Sequence, residues 1–379
     1  MKVLYDYQIF QMQRFGGISN SFVNLIDNMS GDFEYEIGIK DSDNVHLKQL
    51  HLANVESEKT VNTYLGNGSY IGKGLLARLV KSFYPSVESE YRNRVYSEML
   101  LRQGNFDVFH PTYFSDYFTR YIGRKPFVLT VHDMIPELLN LNDPLQIKWK
   151  KKLVPLASHI VTVSNQTKID LIDMMKVPDS KITVIYHGSP QPTMAKFILP
   201  QNLRYFLYVG RRDEYKGFQM MVEALQPILK DTDIFLVCTG PAFTKEELLY
   251  ICRKGLKGKI LSVIADDQEM VGLYSRALCF IYPSQYEGFG IPILEAYNAN
   301  CPVILNNASC FPEIADDAAV YFHTSSDGST DLNEVMNRFL KLGSNERDAL
   351  LQRQRIRLKT FSWKKSAEQL AQVYRMVCE

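Results

Sequence analysis

The stretch CFIYPSQYEGFGIPILEAYNAN, residues 279 to 300, contains the pattern on which the fold prediction rests. Its first part, CFIYPS, is a short continuous apolar run, which is typical of a buried strand. Its last part, IPILEAYNAN, predicts a helix with Pro292 in the first turn, where proline is well tolerated. The loop QYEGFG therefore joins the carboxyl end of a strand to the start of a helix.

The same order of strand and helix recurs along nearly the whole chain. The predicted strands are KVLYDYQIF, FDVFHP, FVLTVHD, HIVTVS, KITVIYHG, RYFLYVG, DIFLVCTG, KILSVIA, CFIYPS, CPVILNN and AAVYFH. Helical patterns lie between them, for example SNQTKIDLIDMM with Ser164 as its N-cap. Alternation of this kind, with continuous apolar strands, predicts an α/β fold with parallel sheets covered on both faces.

A proline-containing segment at 189–203 has little periodicity and indicates a linker between two α/β domains. We predict an N-terminal domain over 1–190, completed by a C-terminal helix at 362–379, and a C-terminal domain over 200–361. Ligands in such folds bind at the carboxyl ends of the strands, so a cleft between the two domains is expected.

Composition excludes several classes of protein. The 379 residues carry a net charge of only +1, which argues against a nucleic-acid binder. No apolar run reaches the roughly 18 residues of a transmembrane helix, and the start MKVLYDYQIF does not resemble a signal peptide. The six cysteines are scattered without a C-x-x-C pair or zinc spacing, as expected for free thiols in a reducing compartment. We therefore expect a cytoplasmic protein.

The loop between the strand and the helix at 279–300 has the features of an anion site. Free backbone N–H groups and the helix dipole favour a phosphate there, and Gly288 and Gly290 let the backbone approach it. Glu287 would stand beside the phosphate, and Glu295 would reach a hydroxyl pair from the helix. Carboxylates only accept hydrogen bonds, which suits a ribose and a sugar. A capped loop with one exposed and one salt-bridged glutamate is the alternative.

The full string EGFGIPILEA closely resembles the E-x7-E signature of the retaining family 4 glycosyltransferases. The resemblance implies the GT-B fold, in which two Rossmann-like domains have parallel sheets facing a central cleft. It implies a catalytic role for Glu287. It also implies donor contacts from Gly288, Phe289, Gly290, Ile291 and Glu295.

A second match to this family lies in FLYVGRRDEYKGF, residues 206–218, where a strand is followed by Gly210, Arg211 and Lys216. Two fixed cations at a strand end can neutralise a departing diphosphate. Arg212 competes for the same role, and we prefer Arg211 because its spacing to Lys216 matches the family. In isolation the string would indicate only a solvated basic turn.

The N-terminal half has weaker matches. QRFGGISNSF resembles the family's glycine loop, which implies that Gly16 and Gly17 close over the phosphates or the transferred sugar. LTVHDMIPE matches a strand-end His-Asp at His132 and Asp133, and the family's histidine contacts the donor sugar near the reacting centre. We assign Asp133 and a second strand-end histidine, His110, to the acceptor side. A lone strand-end histidine is otherwise more often structural.

The resemblance continues in order through most of the chain, with two departures. Val263 occupies a position where glycine commonly precedes the base-binding loop, so the base stays unassigned, although Ile264 is still assigned to the donor site. His187-Gly188 stands where Asn-Gly is common.

The resemblance implies transfer of a hexose from a UDP- or GDP-linked donor to a glycan or lipid-linked saccharide, in surface polysaccharide synthesis. Transfer would retain the anomeric configuration, without a metal or another cofactor. A sugar-nucleotide epimerase and a non-catalytic carbohydrate-binding module are alternatives. A dinucleotide oxidoreductase fits less well, because GFGIPI lacks the third glycine and Asn306-Asn307 offers no acid for a ribose.

Two basic segments with aromatic residues, 70–86 and 147–157, can lie on an anionic membrane surface. They predict peripheral contact with the inner face of a bacterial membrane, where a lipid-linked acceptor would be found. The alternative is a solvated helix face with packed leucines.

Overall fold

The computed structural model describes residues 1–50, 85–325 and 327–379. The chain divides into two compact units. The first contains Met1–Val163, Thr167–Ile185 and Trp363–Glu379, and the second contains Ser164–Gln166 and Tyr186–Ser362. The chain thus leaves the first unit after Ile185, five residues before the predicted boundary at 190, and its last helix returns to that unit.

The first unit contains two three-stranded sheets, and the second unit contains one six-stranded sheet. In the first unit the strands are β1 (Lys2–Tyr5), β2 (Glu34–Ile37), β3 (Val108–His110), β4 (Val128–Val131), β5 (His159–Thr162) and β6 (Ile182–Val184). In the second unit they are β7 (Tyr205–Val209), β8 (Phe235–Thr239), β9 (Ile260–Val263), β10 (Cys279–Tyr282), β11 (Val303–Asn306) and β12 (Val320–Phe322). All paired strands run parallel, which confirms the prediction of parallel sheets.

Helices separate most of these strands. Their bounds are α1 (Gln8–Met12), α2 (Gly17–Asp27), α3 (Pro85–Gln103), α4 (Ile135–Leu138), α5 (Pro144–Leu156), α6 (Asn165–Met175), α7 (Phe218–Asp231), α8 (Lys245–Arg253), α9 (Asp267–Arg276), α10 (Ile291–Asn298), α11 (Phe311–Ala315), α12 (Leu332–Leu340), α13 (Ser344–Leu358) and α14 (Trp363–Cys378).

The two sheets of the first unit have the strand orders β2-β1-β3 and β4-β5-β6, and an isolated parallel bridge from Phe109 to Phe127 links them. Helix α14 packs on β3 and on α2, and its side chains Leu370, Val373 and Tyr374 belong to the same buried core. The last helix therefore completes the core of the first unit.

Two strands of the first unit differ from the prediction. The run KVLYDYQIF does not form one strand, because β1 ends at Tyr5 and α1 begins at Gln8. The buried Asp6 carboxylate accepts hydrogen bonds from the backbone N–H of Gln8 at 3.4 Å and of Thr112 at 2.9 Å, and so turns the chain. Strand β2, EYEI, was not predicted, because it lies at the edge of the sheet and its first two residues are exposed.

The sheet of the second unit has the order β12-β11-β10-β7-β8-β9. The order reverses between β10 and β7, which pair in register through Cys279 with Phe206 and Phe280 with Leu207. Loops that leave such neighbouring parallel strands meet at the same edge of the sheet, and ligands bind at this switch point in open α/β sheets. The two loops that carry the strongest predicted motifs follow β7 and β10.

Candidate active site

The loop between β10 and α10 has the predicted strand–loop–helix form. Pro292 lies in the first turn of α10, and Gly290 is the N-cap residue. Gly290 has a φ of +90°, a left-handed conformation that side chains other than glycine rarely adopt. Glycine is therefore required here by the turn itself.

Glu287 in this loop is held by serines from two strand ends. Ser284 donates its hydroxyl to Glu287 Oε1 at 2.7 Å, and the backbone N–H of Glu287 donates to Ser309 Oγ at 3.2 Å. The glutamate is 8% exposed. Neither serine was predicted. Ser284 follows β10 and Ser309 follows the adjacent β11, so a search along the carboxyl ends of neighbouring strands could have found both.

Lys216, from the loop after β7, forms an ion pair with Glu287. Its Nζ lies 2.5 Å from Glu287 Oε1, although the two residues are 71 positions apart. Burial works to lower the pKa of Lys216, but the charges of Glu287 and the phenol of Tyr215 outweigh it and raise that pKa. Lys216 therefore stays charged at neutral pH, beside a carboxylate that balances it.

The two adjacent arginines of this loop differ in exposure. The side chain of Arg211 is 70% exposed, with Nη2 3.0 Å from Asp213 Oδ2. The side chain of Arg212 is 4% exposed. Arg212 donates from Nε to Glu247 Oε1 at 2.6 Å and from Nη2 to the carbonyl of Pro241 at 2.7 Å. Arg211 is thus accessible to a ligand, whereas Arg212 ties two loops together.

Tyr215 is a residue of this site that the sequence reasoning missed. Its ring centre lies 5.0 Å from Lys216 Nζ, and its hydroxyl interacts with Arg211. Burial raises the pKa of Tyr215, and Glu287 adds to this effect while Lys216 opposes it. Tyr215 directly precedes Lys216 in the chain, and this position was the sequence signal that could have identified it as a site residue.

Glu295 lies in the second turn of α10 and is partly buried. The hydroxyl of Tyr274 donates to Glu295 Oε2 at 3.0 Å. Burial raises the pKa of Glu295, because a charged carboxylate is less stable away from water. Glu295 therefore takes up a proton at a higher pH than an exposed glutamate does.

The other donor-site residues assigned to the second unit have varied surroundings. Gly210 directly follows β7, and Ile264 follows β9 with 78% of its surface exposed. Phe289 is 4% exposed, and its ring packs 4.7 Å from His187 and 5.8 Å from Phe361. The ring of Phe289 therefore supports the loop from within. Gly288 and Ile291 lie on either side of the Phe289–Gly290 pair, Gly288 buried and Ile291 partly exposed.

In the first unit, the predicted glycine loop leads into α2. Gly16 is the N-cap residue of α2, and Gly17 is its first residue. A Cβ atom on Gly16 would lie 2.1 Å from Gln13 Oε1, which accepts a hydrogen bond from the backbone N–H of Ser19 at 3.2 Å. Gly16 thus makes room for the side chain of Gln13 at the start of the helix.

His132 and Asp133 follow β4 directly, as predicted for a strand-end pair. His132 is 9% exposed, and its ring lies 6.0 Å from that of Phe22. Asp133 Oδ1 accepts a hydrogen bond from the backbone N–H of Ile135 at 3.1 Å, which shapes the turn into α4.

The structure corrects the assignment of His110 to the acceptor side. His110 is fully buried, with Nδ1 2.6 Å from the hydroxyl of Tyr374 and Nε2 2.9 Å from Thr130 Oγ1. Burial lowers the pKa of His110 to about 3, so the ring is neutral at physiological pH. His110 is a hydrogen-bonded core residue.

The two segments predicted to contact a membrane are only partly described. Residues 70–84 lie outside the described residues. The segment 147–157 lies largely in α5, where Lys148, Lys151 and Lys152 are exposed but Lys150 is fully buried. The segment 147–157 was predicted as a basic surface, and the buried Lys150 adds no charge to that surface.

Three further features concern metal ligands, cysteines and membrane-spanning helices. Among the described residues no group of three or more histidine, cysteine, aspartate or glutamate side chains could hold a metal ion. All six cysteines are free thiols. In the part of the chain that the structure describes, no helix is both long and apolar enough to cross a membrane.

Comparison with protein families identifies the chain. The family model "Glycosyl transferases group 1" matches residues 191–357, and the model "Glycosyltransferase Family 4" matches residues 68–189. The two models lie one after the other and together extend over most of the chain. The protein belongs to the group 1 glycosyltransferases of family 4.

Individual relatives have low sequence identity to this chain. The "O-antigen chain mannosyltransferase B" of Escherichia coli is 25% identical over 239 residues, and RfbU of Salmonella typhimurium, also an "O-antigen chain mannosyltransferase", is 27% identical over 225 residues. These matches take in 58% and 55% of this chain and only 61% and 63% of the relatives.

Solved structures establish the fold. Anabaena Alr3699/HepE in complex with UDP and glucose superposes with a TM-score of 0.67 at 17% identity, and the match covers 99% of this chain and 100% of HepE. A glycosyltransferase from Rickettsia africae also has a TM-score of 0.67, at 18% identity, over 100% of this chain and 98% of its own. The fold is GT-B, as predicted.

Proposed function

We propose that the protein is a retaining hexosyltransferase that takes its sugar from a UDP- or GDP-linked donor. The acceptor is a glycan or lipid-linked saccharide in the assembly of a surface polysaccharide. The observation that carries this proposal is the Lys216–Glu287 ion pair at the switch point of the six-stranded sheet, with the exposed Arg211 in the same loop. Family membership supports it.

The charges suit the departure of a nucleoside diphosphate. When the bond between the sugar's anomeric carbon and the phosphate oxygen breaks, negative charge develops on the diphosphate. Arg211 and Lys216 stabilise that charge, while Glu287 and Glu295 accept hydrogen bonds from hydroxyl groups of the donor. The acceptor oxygen attacks on the same face, its proton passes to the leaving phosphate, and no metal is needed.

The names of the relatives suggest which hexose to test first. Two of them are called O-antigen chain mannosyltransferases, so a mannose nucleotide is the first donor to try. The HepE crystal that contains UDP and glucose makes UDP-glucose the second. A thermal-shift panel of nucleoside diphosphates and nucleotide sugars would identify the base and the sugar.

Transfer activity tests the proposal with matched variants. Lys216→Gln and Glu287→Gln should each lower kcat about 10²–10³-fold, because each removes a charge at the reacting centre. Lys254→Gln is the control, since Lys254 pairs with Glu223 at 2.7 Å in the same unit without belonging to the site. A fully active Lys216→Gln variant, or activity that a chelator abolishes and a divalent cation restores, would contradict the proposed mechanism.

Incubation with the donor alone separates a transferase from the alternative, a sugar-nucleotide epimerase. Slow hydrolysis of the donor fits a transferase, whereas isomerised nucleotide sugar supports the epimerase. The anomeric configuration of the transferred sugar, read by NMR, tests retention. An inverted product would exclude the proposed same-face attack.

A further inference from the structure

A buried ion pair lies next to the backbone that follows His132 in the first unit. Lys150 in α5 is fully buried, and its Nζ lies 2.9 Å from Oε2 of Glu137, whose side chain is only 5% exposed. The other oxygen, Glu137 Oε1, has no hydrogen-bond partner among the described residues. Removing two charges from water is costly, and this cost can exceed the attraction between them. The presence of the pair is therefore not explained by stability alone.

The same lysine also holds the backbone next to His132. Lys150 Nζ donates a hydrogen bond to the carbonyl oxygen of Asp133 at 3.0 Å. The Asp133 side chain in turn accepts from the backbone N–H of Ile135 at 3.1 Å. Asp133, which follows His132, is therefore held by two hydrogen bonds, one at its carbonyl oxygen and one at its side chain. The first of these comes from the charged Lys150.

Two other lysine–carboxylate pairs among the described residues of the first unit are more exposed. Lys168 lies 2.7 Å from Asp179, whose side chain is 75% exposed, and Lys2 lies 2.7 Å from Glu36 with both side chains partly exposed. Exposed pairs of this kind contribute little to stability.

We propose that Lys150 is a positioning residue for sugar transfer. Through the carbonyl of Asp133 it fixes the backbone from which His132 projects at the end of β4. This inference rests on the proposed function, together with the family resemblance, which implies that His132 contacts the donor sugar. Displacing a catalytic group by about 1 Å can cost about 10²-fold in rate. By analogy, residues that orient the ligands of a metal ion contribute about 10–100-fold.

Two variants separate positioning from stability. Lys150→Met removes the donor to the Asp133 carbonyl but leaves Glu137 buried without its partner. The double variant Lys150→Met/Glu137→Met removes both charges, so its unfolding temperature should recover towards that of the wild type. It should not recover activity, because methionine cannot donate to the carbonyl. The matched control is Lys168→Met.

We expect kcat to fall about 10–100-fold in both Lys150 variants and to stay unchanged in Lys168→Met. The affinity for UDP or GDP should change less than about twofold, because Lys150 donates its hydrogen bonds to Asp133 and Glu137 and not to the diphosphate-binding side chains. A double variant that recovers kcat together with its unfolding temperature would overturn the inference, since Lys150 would then be only structural.

NMR of the full-length protein without substrate gives a readout independent of activity. The ring signals of His132, assigned with a His132→Gln variant, should shift in both Lys150 variants and stay in place in Lys168→Met. Unchanged His132 signals would also overturn the inference. If the wild type transferred no sugar from any nucleotide donor, the proposed function would fail, and these signals would still decide whether Lys150 positions His132.

Discussion

Arg211 and Arg212 are neighbours in the chain, yet their side chains have different surroundings. Arg211 is largely exposed, whereas the guanidinium of Arg212 binds Glu247 and lies 4.7 Å from the ring of Phe243. Only an accessible cation can meet a diphosphate. The buried arginine instead joins the loop after β7 to the loop after β8.

Substitution of each arginine should therefore separate activity from stability. Arg211→Gln should lower kcat about 10²–10³-fold and leave the free energy of unfolding almost unchanged, because it removes an exposed charge. Arg212→Gln should lower the free energy of unfolding by about 1.5–3 kcal/mol, because it removes hydrogen bonds to a charged group. Transfer assays and urea unfolding of both variants provide the measurement. Equal effects on activity and stability in the two variants would contradict the distinction.

The residues predicted most securely from the sequence belong to local patterns. Glu287, Gly290 and Lys216 sit in short strings whose strand–loop–helix form brings them to the same edge of a sheet. His110 could not be placed in this way. Its burial depends on Tyr374, 264 positions away, and a strand-end histidine has the same local sequence whether it faces a ligand or the core.

At the level of elements, the short 3₁₀ turn Glu214–Lys216 carries Lys216 to the end of β10. Gly217 ends this turn with a φ of +69°, and a Cβ atom there would lie 2.4 Å from the carbonyl oxygen of Pro283. Glycine at this position thus allows two loops from adjacent strands to approach closely.

Gly217→Ala should push these loops apart and weaken the Lys216–Glu287 pair. Gly258→Ala is the control, because Gly258 also has a positive φ, of +80°, but a Cβ atom there would have no neighbour within 4 Å. We expect Gly258→Ala to cost about 1 kcal/mol of stability, from backbone strain alone. Gly217→Ala should cost about 1–3 kcal/mol more and lower kcat. If both variants lost the same stability and kept full activity, the close approach of Gly217 to Pro283 would not be needed for stability or for transfer.

Most elements were predictable because buried parallel strands are continuous apolar runs. The failures at β1 and β2 have physical causes. The turn after Tyr5 depends on the Asp6 carboxylate reaching Thr112, far along the chain, and the edge strand β2 contains two glutamates that hide its strand character. Local composition contains neither kind of information.

At the scale of the molecule, the C-terminal helix is held to the sheets of the first unit by a chain of buried hydrogen bonds. The hydroxyls of Tyr5 and Tyr374 are 2.9 Å apart, Tyr374 reaches His110 Nδ1, and His110 Nε2 reaches Thr130. The second unit has a buried histidine of its own, His187, whose pKa burial also lowers to about 3. In each unit, burial thus favours the neutral form of one histidine ring.

These low pKa values predict a loss of stability as the pH falls. An unfolded chain binds a proton on histidine at about pH 6.5, whereas the folded chain binds none at His110 until about pH 3. Between these values the unfolded state holds more protons, so the free energy of unfolding decreases with decreasing pH. For His110 the decrease between pH 7 and pH 5 should be about 2 kcal/mol.

Comparing variants isolates this contribution, because the raised pKa of the buried Asp6 acts in the opposite direction. His110→Asn removes the titrating ring, so the difference in the free energy of unfolding between the wild type and this variant should shrink by about 2 kcal/mol from pH 7 to pH 5. Tyr374→Phe removes the hydrogen bond between Tyr374 and His110 but keeps the imidazole ring of His110. The difference in the free energy of unfolding between this variant and the wild type should therefore be the same at both pH values. Urea unfolding at both pH values measures these differences. A constant difference for His110→Asn would mean that the folded protein accepts a proton on His110, and that the core around Tyr374 opens to water well above pH 3.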